Sequence, residues 1–123
     1  MHTVALTPMF LNQAKREGMA DKDISDIVNV LADNPNAGDL MAGTGGARKL
    51  RHAGRGKGKS GGYRTIHYFG GDDVPVFLLS VYGKGTADNL TKAERNELAK
   101  ILPKMADAYK KSASQAKAKF GYK

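Results

Sequence analysis

Seven basic side chains, Arg48, Lys49, Arg51, Arg55, Lys57, Lys59 and Arg64, fall within one stretch that contains no acid. The formal net charge of the chain is +8, and its other 13 basic residues face 12 acids, so this stretch carries nearly all of the excess. A concentrated positive field favours a polyanionic partner, and nucleic acid heads the list. The chemistry within reach of such a cluster is phosphodiester cleavage. Attack of a ribose 2′-OH on the adjoining phosphate needs a base for the hydroxyl proton, stabilisation of the crowded phosphate oxygens, and an acid for the departing 5′-oxygen. A lysine surrounded by other cations can serve as that base, and arginines can hold the charge that develops. Arg64, between Tyr63 and Thr65, is permanently charged and can grip a phosphate through two parallel hydrogen bonds. Tyr63, Tyr68 and Tyr82 can stack on bases or lend a phenol to proton transfer, although single aromatics in strands are more often core residues or cross-strand partners.

Other chemistries find less support. His2, His52 and His67 are the only histidines, and none is joined by a carboxylate or a second histidine at metal-ligand spacing, so no metal is expected. His67 is the one histidine placed where it could line an open sheet face, although a satisfied or exposed strand histidine is the commoner case, and His52 can simply touch RNA. There is no cysteine, which excludes disulfides and thiol nucleophiles. Gly56-Lys57-Gly58-Lys59-Ser60-Gly61 fits a dinucleotide-binding glycine pattern, and Gly58-Lys59-Ser60 imitates the end of a P-loop. Both lie between two expected strands with no helix to aim at a phosphate, and the first glycine of a P-loop would fall at Ala53. No cofactor is expected.

The elements that must position the basic stretch follow from periodicity and punctuation. His2 to Leu6 reads as a short strand, and Thr7-Pro8 as the cap and first residue of a helix ending near Gly18. A second helix fits Lys22 to Ala32, capped by Asp21, with Ile24, Ile27, Val28 and Leu31 on one face and Asn34-Pro35 as its stop. Gly38 to Gly46 reads as a loop, Ala47 to Arg51 as a strand, and the glycine-lysine run 54–61 as a hairpin connection. From Gly62 to Phe69 a strand alternates Arg64, Ile66 and Tyr68 with Tyr63, Thr65, His67 and Phe69. Val74 to Tyr82 reads as a strand covered on both faces. Thr91-Lys92-Ala93-Glu94 is a capping box opening a last helix, with Leu98, Ile101, Leu102 and Met105 as its stripe and Pro103 as a kink or division. At 123 residues and 41% apolar content this makes one α+β domain, with the helices expected on one side of a small, mainly antiparallel sheet whose other face is free to be a site. No signal-peptide pattern or membrane span is read, and the cytoplasm is the expected location.

Three segments together resemble a known family. Gly45-Gly46-Ala47-Arg48-Lys49-Leu50-Arg51, then Gly56 to Arg64, then Val76-Phe77-Leu78-Leu79-Ser80-Val81-Tyr82-Gly83-Lys84 are similar to the RelE/HigB toxins of type II toxin-antitoxin systems, and Asp88-Asn89-Leu90-Thr91 with the closing helix also fits. The resemblance implies a RelE-like fold over residues 1–109, with 110–123 as a basic C-terminal extension. It implies messenger RNA cleavage in the ribosomal A site, against 16S ribosomal RNA, without a metal. It also implies a cognate antitoxin, often of helix-turn-helix type, through which alone operator DNA is contacted; no membrane partner is implied. The family's functional positions map onto Arg64 for the scissile phosphate, Lys57 and Lys59 for 2′-OH activation or charge stabilisation, and Tyr82 and Lys84 at the border of the site. Arg48, Lys49, Arg51, Arg55 and His67 are the expected RNA contacts. Gly85-Thr86-Ala87 departs from the polar, charged stretch that follows Lys84 in many relatives, and the C-terminal basic tail is longer than the resemblance leads one to expect. Two rivals share the residues: a ParE-like gyrase poison on a similar scaffold, and a non-catalytic RNA- or ribosome-binding module.

Overall fold

The computed structural model describes residues 2–54, 58–83 and 90–120, without the side chains of 53–54, 58–61 and 113–120. The chain forms β1 (Val4–Leu6), α1 (Pro8–Arg16), α2 (Asp21–Asp33), β2 (Asp39–Leu40), β3 (Ala47–Gly54), β4 (Gly58–Tyr68), β5 (Val76–Gly83) and α3 (Lys92–Phe120). The five strands make one sheet in the order β1-β5-β4-β3-β2. Among the described residues only β1 with β5 is parallel; the remaining pairs are antiparallel.

Local chemistry sets most of the boundaries. Thr7 caps α1 by accepting from the Phe10 N–H at 3.2 Å, Pro8 occupies the first turn where its missing donor costs nothing, and Gly18 follows the C-cap at a φ of +69°. Asp21, expected as the cap of α2, is instead its first residue. The cap is Ala20, whose N–H donates to Asp23 Oδ2 at 3.1 Å. At α3 the expected reciprocal box is present: the Thr91 N–H donates to Glu94 Oε1 at 2.8 Å and the Glu94 N–H to Thr91 Oγ1 at 3.1 Å. Pro103 does not divide α3, which runs on to Phe120. The short β2, inside the expected loop, pairs Asp39 with Lys49 and Leu40 with Arg48.

Alternation along the strands divides the core in two. Tyr63, Val76, Leu78 and Val81 pack with Phe10 and Ala14 of α1 and Ile27 and Leu31 of α2. Ala47, Ile66, Phe77 and Leu79 pack with Leu102 of α3, joined by Leu98 and Met105. The α+β class holds, but α3 covers the face opposite α1 and α2, so the expectation of three helices on one side is corrected. The physical reason is that β4 and β5 carry buried side chains on both faces, and each face needs its own cover. Gly45 lets α3 approach: at a φ of +78°, its position leaves an added Cβ only 3.2 Å from Ala99 Cα. Arg95 ties the start of the helix to the same loop, donating from Nη1 to the Ala42 carbonyl at 2.6 Å. Among the described residues no helix is long and apolar enough to cross a membrane.

Candidate functional site

The antiparallel register brings three expected site residues into one row. Arg51 on β3 stands opposite Arg64 on β4, and Arg64 stands opposite Tyr82 on β5. Adjacent strands are about 4.8 Å apart, so the row spans about 10 Å on the face shared with α3, near the hairpin end of the sheet. Lys49 lies two residues from Arg51 at a position facing the same side, opposite Ile66. Arg51 is exposed, while Lys49, Arg64 and Tyr82 are half-buried. Like charges directly opposite each other weaken a sheet, and a bound phosphate between Arg51 and Arg64 would relieve that repulsion by bidentate hydrogen bonding.

A bulge places Tyr82 in this row. Ile66 pairs with Ser80 but His67 pairs with Leu78, leaving Leu79 as an extra residue on β5. Leu78 and Val81 thus both reach the core under α1 and α2. With unbroken alternation from Phe77, Tyr82 would face that core instead of Arg64. The strand is held at this point by Gln13, which the sequence reading passed over. Its Oε1 accepts from Ser80 Oγ at 2.8 Å and from the Val81 N–H at 3.0 Å, satisfying the edge of β5 beyond the end of β1. An isolated glutamine in an amphipathic helix carries no local signal of such a contact.

Other expected residues lie elsewhere. Arg48 sits on the face opposite Arg64, in register with His67, and donates from Nη1 to the Gly38 carbonyl at 3.2 Å. His67 is 0% exposed, and its Nε2–H donates to the Pro35 carbonyl at 3.0 Å. The expectation that His67 contacts RNA is therefore corrected, because the side chain is sealed beneath the end of α2. Burial, opposed by the Pro35 bond and reinforced by the Arg48 charge, lowers its pKa and keeps the ring neutral. His52 also faces this side, sharing a 2.8 Å hydrogen bond with the buried Thr65 Oγ1. Burial, with a smaller contribution from His67, lowers its pKa to about 4. Next to it, a groove of about 290 Å³ between α2 and the β3 edge is lined by Asp23, Asp26, Leu50, Arg51 and His52. Arg55, Lys57 and Lys84 lie outside the described residues; Lys59 lies on β4, with its side chain outside them.

With this arrangement in view, comparison with protein families is decisive. The family model described as the RelE toxin of the RelE / RelB toxin-antitoxin system matches residues 3–120. The chain belongs to the RelE toxin family. As a RelE toxin it is the toxic member of a toxin-antitoxin pair, and its direct partner is an antitoxin. The RelE match embraces both core clusters, the arginine row and the whole of α3.

Proposed function

We propose that this RelE toxin is an endoribonuclease that cuts translated messenger RNA in the ribosomal A site, in the cytoplasm, by attack of a 2′-OH on the adjoining phosphate. The observation that carries the reading is the Arg51-Arg64-Tyr82 row, formed across three neighbouring strands of a RelE-family sheet. Arg64 holds the scissile phosphate, and Arg51 with Lys49 steadies the flanking backbone. Lys57 and Lys59, next along the chain in the hairpin, activate the 2′-OH or stabilise the developing charge, and Arg55 adds to RNA binding. Tyr82 and Lys84 border the site. No step in this chemistry requires a metal or a cofactor: proton transfer and charge stabilisation come from side chains. The antitoxin is of helix-turn-helix type and is the route by which the pair contacts operator DNA.

The test is growth arrest on induction of wild type and Arg64→Ala, with primer extension on a reporter message in a ribosome-containing extract. Discrete cuts in the translated region that vanish with Arg64→Ala are the expected result. Toxicity without cuts would replace this reading by gyrase poisoning, and binding to ribosomes with neither toxicity nor cuts would replace it by a non-catalytic module.

A further inference from the structure

A second basic region stands apart from the arginine row. α3 meets the β4–β5 turn at Lys110, whose Nζ lies 3.4 Å from Asp73 Oδ2, and the start of β5 at Tyr109, whose ring meets Phe77 edge-on. Lys111 and Ser112, which follow, are exposed. The helix then continues to Phe120, about 15 Å beyond Lys110 at 1.5 Å per residue. Lys111, Lys117 and Lys119 lie on this arm, and no acid follows Asp107. The turn sits at the end of the sheet opposite the hairpin. Arg64 and Tyr68 alone are separated by about 13 Å of strand, and Asp72 and Asp73 lie at the turn where the arm begins.

We propose that the helical arm 111–120 is a second RNA-binding element, which grips the phosphate backbone of structured ribosomal RNA rather than the strand being cut. This rests on the ribosomal reading above and extends it. Lysine ammonium groups act as point charges that follow a phosphate backbone without reading bases. The arm therefore supplies affinity and orientation, and leaves the cut position to the hairpin site.

The experiment is ribosome co-sedimentation of the full chain over a salt series, comparing wild type, the triple variant Lys111→Gln, Lys117→Gln, Lys119→Gln, and the corresponding triple lysine-to-arginine variant. The glutamine variant is expected to bind about tenfold or more weakly near physiological salt, with a log-log salt dependence shallower by about two to three. The arginine variant restores both. Cut positions on the reporter, and the cleavage rate at saturating ribosome, stay within about twofold of wild type. Wild-type affinity and salt dependence in the glutamine variant would overturn the arm while leaving the ribonuclease reading intact. Absence of cuts in wild type would sink the ribonuclease reading, and the sedimentation result would still decide the arm.

Discussion

At the scale of single residues, Arg51 and Arg64 stand directly opposite each other across β3 and β4. Like charges directly opposite each other in a sheet cost up to about 1 kcal/mol relative to a neutral pair. Arg51→Gln is accordingly expected to leave the melting temperature unchanged or slightly raised while weakening RNA binding, as thermal unfolding and filter binding would show together. Arg64→Ala should lower the cleavage rate by about a hundred- to a thousandfold, the loss typical of a donor aimed at developing charge. Arg64→Lys should recover only part, because it keeps the charge and loses the fork. The buried histidines act on stability. Their native pKa values lie below the ordinary 6.5, so the unfolded chain binds more protons, and stability falls as pH drops from about 6.5 towards the His52 value of about 4. Unfolding measured across this range should show that slope, and His52→Gln should flatten it without changing cleavage at neutral pH by more than about twofold. A histidine variant that abolished cleavage while remaining folded would place the chemistry on the wrong face.

At the scale of elements, the strand carrying Tyr82 depends on two contacts that no local pattern announces. The Leu79 bulge turns Tyr82 towards Arg64, and Gln13 fastens the strand just beyond it. Gln13→Ala leaves the Val81 N–H without its partner and should destabilise the fold by about 1–3 kcal/mol in urea titration. Loss of cleavage should exceed what unfolding explains, since the bulge loses its anchor. On the other face, α3 approaches through Gly45 and is tied by Arg95. Gly45→Val, strained at a positive φ and pressing on Ala99, should cost about 1–3 kcal/mol. A wild-type denaturation midpoint for that variant would show that the loop gives way without consequence.

At the scale of the whole molecule, charge is arranged in two regions rather than spread evenly. The hairpin stretch lies at one end of the sheet, and Lys110 of α3 lies at the other, beside Asp73. If six cations of the hairpin region each neutralise a phosphate, affinity for single-stranded RNA should fall by about a hundred- to a thousandfold between 50 and 200 mM salt. A much flatter response would mean that fewer of them touch RNA. The helices on both faces leave the arginine row, next to the hairpin, as the part of the sheet where the cationic residues are gathered.

The sequence by itself determined the basic stretch, the capping of α1 and α3, the alternation of Arg64 with Tyr63 and Thr65, and the likeness to RelE toxins, because charge, caps and period-two patterning are local properties. Tertiary structure alone decided that Arg51 faces Arg64, since hairpin register follows from how the two strands pair and not from either strand. It alone sealed His67 beneath α2, because burial depends on which helix covers which face. It alone put α3 across the sheet from α1 and α2, for two apolar faces cannot both be covered from one side. And it alone brought Tyr82 into the row, because one extra residue in a strand reverses the direction of every side chain after it.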